Sequence, residues 1–146
     1  MAALTLALAA ADAAAQVEVT AAWARATVTG QTGSGAFMTL TAKEHMRIVG
    51  AASTVARVTE IHEMAMDGNV MRMRAVPVLE LPAGRPIELK PGGYHLMLLD
   101  LKRALKPGEK IAVDLRLETK DGKPLTQPIE IDVRAATAAS SGAHKH

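Results

Sequence analysis

Short runs of Val, Thr, Ile and Leu, interrupted at close intervals by Gly and Pro, are the feature that most constrains the fold of this chain. Such runs favour β-strands, and Gly and Pro favour the turns between them. The pattern predicts nine strands, at residues 17–23, 35–41, 47–51, 55–66, 70–76, 87–90, 94–101, 110–118 and 129–134. Short strands separated by frequent turns indicate an all-β antiparallel sandwich or barrel.

The length of 146 residues fits a single domain, and no internal repeat is visible. Residues 1–15 are apolar and Ala-rich, and they end in the small-residue pattern Ala13-x-Ala15 that signal peptidases recognise. They are too few to span a bilayer, which takes about 20 residues. We therefore expect a signal peptide at 1–15 that directs export, a β-domain at 16–134 and a flexible tail at 135–146, with no membrane span in the mature chain.

Charge and composition exclude several classes of function. The net charge is +2, and Lys and Arg alternate with Asp and Glu along most of the chain. One Trp, one Tyr and one Phe cannot form a stacking platform, so the sequence gives no support for nucleic-acid binding. Because the chain has no cysteine, it can form no disulfide and has no thiol nucleophile.

Four residues with soft or borderline donor atoms form the most specific chemical pattern. They are two imidazoles and two thioethers: His62, Met73, His95 and Met97. Thioether sulfur together with imidazole nitrogen suits Cu(I), whereas calcium and magnesium sites need clustered oxygens and structural zinc sites usually recruit thiolates. The donor types therefore predict a site for cuprous ion.

The segment around Asp67-Gly68 predicts a hairpin that could bring two of these donors together. A two-residue turn at Asp67-Gly68 would place His62 directly opposite Met73. Opposed side chains on neighbouring strands have Cβ atoms roughly 4.5–5.5 Å apart, close enough to share one ion. His95 and Met97 are two residues apart and so lie on one face of a later strand, near its beginning.

Each of these residues also has a simpler structural interpretation. A single histidine on a strand is more often a hydrogen-bonded residue than a ligand, and methionine commonly fills cores. A metal-free β-sandwich that serves as an interaction module therefore stays an alternative. A copper enzyme is the least favoured reading, because Glu63 is the only acidic candidate beside a ligand and should face the opposite way.

The spacing of the four residues also carries a family resemblance. The pattern His62-x10-Met73-x21-His95-x-Met97 resembles the signature of the PCu(A)C periplasmic copper chaperones, as do the segments IHEMAMDGNVMRMR and ELKPGGYHLMLLDLKRALKPGEK. The resemblance extends from about Val17 to Arg134. It includes Trp-Ala-Arg at 23–25 and VGAAS at 49–53.

The resemblance implies a cupredoxin-like Greek-key β-barrel that binds one Cu(I) through His62, Met73, His95 and Met97. It implies a monomeric carrier, not an enzyme, that delivers copper to another copper chaperone or to copper enzymes, notably cytochrome c oxidase. The tail residues His144 and His146 resemble the tails that some members use for a secondary copper site, which could take Cu(II). Here the tail is short, and an ordinary solvated chain end is favoured.

Overall fold

A computed structural model describes residues 16–135, which form an all-β domain without a helix. The ten strands are β1 (Val17–Arg25), β2 (Gly33–Ala42), β3 (Met46–Ser53), β4 (Ala56–Asp67), β5 (Val70–Ala75), β6 (Leu79–Leu81), β7 (Ile87–Leu89), β8 (His95–Leu101), β9 (Lys110–Thr119) and β10 (Pro124–Arg134). Across this described range no helix is long and apolar enough to cross a membrane. The expected signal peptide and tail, including His144 and His146, lie outside the described residues.

Seven of the strands close into a barrel. Their order around the wall is β4-β8-β2-β1-β10-β9-β3, and β3 pairs with β4 to complete the ring. The remaining strands extend the wall, with β5 beside β4, β6 beside β3 and β7 beside β2. All pairs are antiparallel except β1 with β10. The expected cupredoxin-like Greek-key barrel is therefore confirmed, with one parallel pair that an up-and-down arrangement would not contain.

The core follows the alternation of side chains along each strand. On β8, Leu96 and Leu98 point into the barrel and are fully buried, whereas His95 and Met97 point to the outer face. The neighbouring strand β4 buries Ile61 and turns His62 outward in the same way. Because these strands carry core residues on one face, the packing of the barrel fixes which residues form the outer surface.

All nine predicted strands are present, and the structure adds one. The missed strand β6 has only three residues and lies between Pro77 and Pro82, which are more typical of turns and loops than of a strand. Strand β10 begins at Pro124, earlier than predicted, and also contains Pro128. Its first half pairs with β9 alone, and a proline is tolerated at such an edge. There the side-chain amide of Gln127 bridges to β1 by accepting from the N–H of Val17 and donating to its carbonyl oxygen, at 3.0 and 2.7 Å.

The predicted pairing of the β4–β5 hairpin was wrong by two residues. The turn is formed by Gly68 and Asn69, so that Asp67 pairs with Val70 and Met64, not His62, lies opposite Met73. Gly68 has a φ of 65°, which suits the first central position of a type II′ turn, where glycine is favoured. A shift of two residues keeps every side chain on its predicted face, because faces alternate with a period of two.

Candidate functional site

The four candidate ligands lie on three adjacent strands, on the outer face of the barrel wall. Met73 is on β5, His62 on β4, and His95 and Met97 on β8. His62 and His95 are direct cross-strand partners, and the centroids of their rings are 6.0 Å apart. Residues separated by 33 positions in the sequence thus meet because β4 and β8 are neighbours, a pairing that no local pattern reveals.

A pocket of about 410 Å³ opens beside these strands. His95, Met97 and Met73 line it together with Met64, the cross-strand partner of Met73. His62 does not line the pocket, although its ring adjoins that of His95. The structure therefore gathers three of the four candidates around one space, places the fourth at its margin, and adds a third thioether there.

His95 is buried at the start of β8, with 6% of its surface exposed. Its Nδ1 lies 3.0 Å from the carbonyl oxygen of Gly93, which can only accept, so Nδ1 carries a proton and donates. The other ring nitrogen, Nε2, is buried and has no hydrogen-bond partner among residues 16–135. An imidazole held through one nitrogen, with the lone pair of the other left free, is the arrangement typical of a metal-ligating histidine.

His62 shows the same division of roles with its nitrogens exchanged. Its Nε2 lies 2.9 Å from a carboxylate oxygen of Glu60, and its Nδ1 is buried without a hydrogen-bond partner in the described part of the chain. A buried polar atom without a partner costs roughly 1–3 kcal/mol. The absence of hydrogen-bond partners at these two nitrogens is explained if both of them bind an ion that comes from outside the protein.

The available donors define what this site could hold. Two neutral imidazole nitrogens and several thioether sulfurs are present, and this set suits a soft, low-charge metal ion. Within residues 16–135, no three His, Asp or Glu side chains are grouped so that they could hold a metal ion by themselves. The residues fit a soft metal centre that includes methionine.

Glu60 is a site residue that the sequence reasoning missed. Glu63 was expected to be the only acidic residue beside a ligand; it does face away, and it pairs with Arg74 at 2.7 Å. Glu60 instead lies on the outer face, directly across from Met97, and holds His62. Since residues two apart on a strand share a face, the spacing between positions 60 and 62 could have revealed it.

The pocket owes part of its space to a glycine on β2. Gly35 is the cross-strand partner of Met97, so the thioether has no side chain opposite it. A Cβ added at Gly35 would lie 3.2 Å from the edge of the Phe37 ring, and Phe37 in turn packs near His95 with ring centroids 6.5 Å apart. Arg25 lies over the ring of Phe37, 5.3 Å from the ring centroid. No sequence signal identifies this wall, because it depends on the pairing of distant strands.

Comparison with protein families and relatives gives a consistent result. The family model described as LpqE-like lipoproteins matches residues 17–131. A protein of Leifsonia xyli subsp. xyli, named as a lipoprotein, is 33% identical over 115 residues, which cover 78% of this chain and 69% of that protein.

Several solved structures have a similar fold. The solution structure of apo-DR1885 from Deinococcus radiodurans is 31% identical, with a TM-score of 0.60, and the match covers 84% of this chain and 81% of that one. The copper-bound PCuAC domain from PmoF2 is 24% identical, with a TM-score of 0.65 over 82% of this chain and 93% of that one, and supports the fold alone. Together with the motif spacing and the barrel, the match over residues 17–131 shows that the chain belongs to the LpqE-like family, which is of the PCu(A)C type.

Proposed function

We propose that this protein is a metallochaperone that binds one Cu(I) through His62, Met73, His95 and Met97 and passes it to a copper-accepting protein. The observation that carries the proposal is the pair of buried imidazole nitrogens, Nδ1 of His62 and Nε2 of His95, beside a methionine-lined pocket. Neither nitrogen has a hydrogen-bond partner within residues 16–135. Relatives of similar fold add support, since one of them is described as Cu(I)-bound DR1885, at 31% identity.

The donor set favours transport of copper over redox chemistry. Imidazole and thioether donors are neutral, so bound Cu(I) keeps its single positive charge, and soft sulfur stabilises that state against oxidation to Cu(II). Blue-copper electron carriers require a cysteine thiolate, and this chain has no cysteine. Four protein donors would also leave no open position for a substrate, which a copper enzyme needs. We therefore propose a carrier and not an enzyme.

The same chemistry suits an oxidising compartment outside the cytoplasm. Thiolates there are lost to disulfides, whereas methionine provides soft sulfur without that liability. Export agrees with the lipoprotein name of the family and with the apolar segment at residues 1–15. We propose the periplasm as the place of action and a cytochrome c oxidase subunit or another copper chaperone as the recipient, with the carrier acting as a monomer.

X-ray absorption spectroscopy of the Cu(I)-loaded protein tests the proposal directly. We expect a first coordination shell that contains both nitrogen and sulfur scatterers, because two imidazoles and two thioethers are proposed to share one ion. The control is the same protein loaded after Met73 and Met97 have both been changed to leucine, in which the sulfur scattering should fall, because only the neighbouring thioethers such as Met64 remain. A shell of nitrogen and oxygen alone in the unmodified protein would refute the ligand set.

Glu60 provides a second prediction, through its contact with His62. Glu60→Ala should weaken Cu(I) binding by about 10- to 100-fold, because the carboxylate orients the imidazole and a ligand free to rotate binds less well. The matched control is Glu63→Ala, which removes a carboxylate that contacts Arg74 on the opposite face. Competition titration against a Cu(I) chelator measures both variants. Equal affinities would show that Glu60 does not act on the site.

A further inference from the structure

The β4–β5 hairpin carries chemistry that the proposed centre does not use. Strand β5 pairs with β4 alone among the described strands, and all six of its residues are exposed. The hairpin thus extends beyond the closed barrel, and its outer face continues the face on which the pocket lies. Side chains on that face are free to serve a purpose other than core packing.

The two faces of this hairpin differ sharply in chemistry. One face carries ion pairs, Glu63 with Arg74 at 2.7 Å and Asp67 with Arg72 at 3.2 Å. The opposite face carries two directly opposed methionine pairs, Met64 with Met73 and Met66 with Met71. The ion pairs and the backbone ladder hold the two strands together without any help from the thioethers. The four charges cancel, so the hairpin does not repel a cation.

The outer methionine pair is exposed in a way that packing does not explain. Met66 and Met71 have 62% and 52% of their surface accessible, and they contact water where a charged or polar residue would be more soluble. By contrast, the methionines that do fill space, Met38 and Met46, are each only 2% exposed in the core. Exposed thioethers in opposed positions therefore differ from the methionines that fill the core, and Met73, at 49%, is exposed to a similar extent.

The geometry places this pair next to the pocket but outside it. Met64 and Met73 line the pocket, and Met66 and Met71 lie one pair further along the hairpin. Two residues of strand correspond to roughly 7 Å, and opposed Cβ atoms are about 4.5–5.5 Å apart. Two flexible thioethers at that separation can converge on one ion without contacting the inner residues.

We propose that Met66 and Met71 form a second, outer site for a soft monovalent ion, through which Cu(I) enters or leaves the protein. The site has two neutral sulfur donors and no imidazole, so it binds more weakly and exchanges faster than a centre with four donors. Met64 and Met73 connect the outer site to the pocket. Nothing in this inference requires that the inner centre use all four proposed ligands.

Titration with Ag(I), followed by NMR of methionine methyl groups labelled with carbon-13, tests the proposal. Ag(I) is a soft monovalent ion that does not change oxidation state under these conditions. Each labelled methionine gives its own methyl signal, so the residues are followed separately. We expect the first equivalent to shift the Met73 and Met97 signals and a second equivalent to shift those of Met66 and Met71. The signals of Met38 and Met46 should stay in place as internal references.

Variants separate this inference from the proposed function. The double substitution M66L/M71L should bind one Ag(I) fewer than the unmodified protein, whereas Val70→Leu, a substitution on the ion-pair face of the same hairpin, should bind the same number. Met97→Leu should weaken the inner response and leave the shifts of Met66 and Met71 intact. The outer site is refuted if the Met66 and Met71 signals do not move beyond one equivalent, or if M66L/M71L binds as much Ag(I) as the unmodified protein. Neither result bears on the inner centre, which the response of the Met97→Leu variant tests separately.

Discussion

Met97→Leu is expected to weaken Cu(I) binding by at least about 100-fold, because it removes a proposed ligand, and even the loss of an outer-shell contact costs 10- to 100-fold. Leucine has nearly the volume of methionine, so the free energy of unfolding should change by less than about 1.5 kcal/mol. Competition titration against a Cu(I) chelator measures the affinity, and denaturant unfolding of the metal-free protein measures the stability.

Met38→Leu is the matched control for this experiment. It makes the same chemical change in the barrel core, where Met38 is buried on β2 and does not line the pocket. A comparable effect on stability and no effect on Cu(I) affinity are expected. If the two variants bind Cu(I) equally well, Met97 is not a ligand.

Leu98→Ala is expected to produce the largest loss of stability, about 2–5 kcal/mol, because it leaves a cavity in the barrel core. Leu98 is fully buried on β8, the strand that lies between β4 and β2 and carries two of the proposed ligands. Its side chain points away from the pocket, so the folded fraction of the variant should bind Cu(I) with nearly unchanged affinity. Denaturant unfolding of the metal-free protein gives the difference in free energy.

Leu99→Ala serves as the comparison on the same strand. Leu99 is only half-buried and lies on the outer face, so truncating it should cost distinctly less than truncating Leu98. Equal losses at the two positions would contradict the assignment of Leu98 to the inside of the barrel.

The sequence predicts most of the strands and the face on which each donor lies. Alternation along the chain correctly groups Met64 and Met66 with His62, and His95 with Met97, because a period of two is a local property. The apolar character of β8 on both faces also agrees with its central place in the wall. Short-range sequence patterns are sufficient to predict these features.

The features that the sequence does not predict depend on pairing between strands. The hairpin register was wrong because both Asp67-Gly68 and Gly68-Asn69 can form two-residue turns, and only the backbone geometry distinguishes them. The direct pairing of His62 with His95 and the empty position that Gly35 leaves for Met97 depend on the order of strands in the barrel. Strand order is a property of the whole fold.

The aromatic residues behind His95 give the protein a built-in optical reporter. Trp23 is the single tryptophan of the chain, and its ring lies 4.8 Å from that of Phe37, which separates it from His95. Arg134 lies over the indole, 5.8 Å from the ring centroid. Tryptophan emission from the unlabelled protein therefore originates one aromatic ring away from the imidazole, and a change in its wavelength or intensity reports on this end of the barrel.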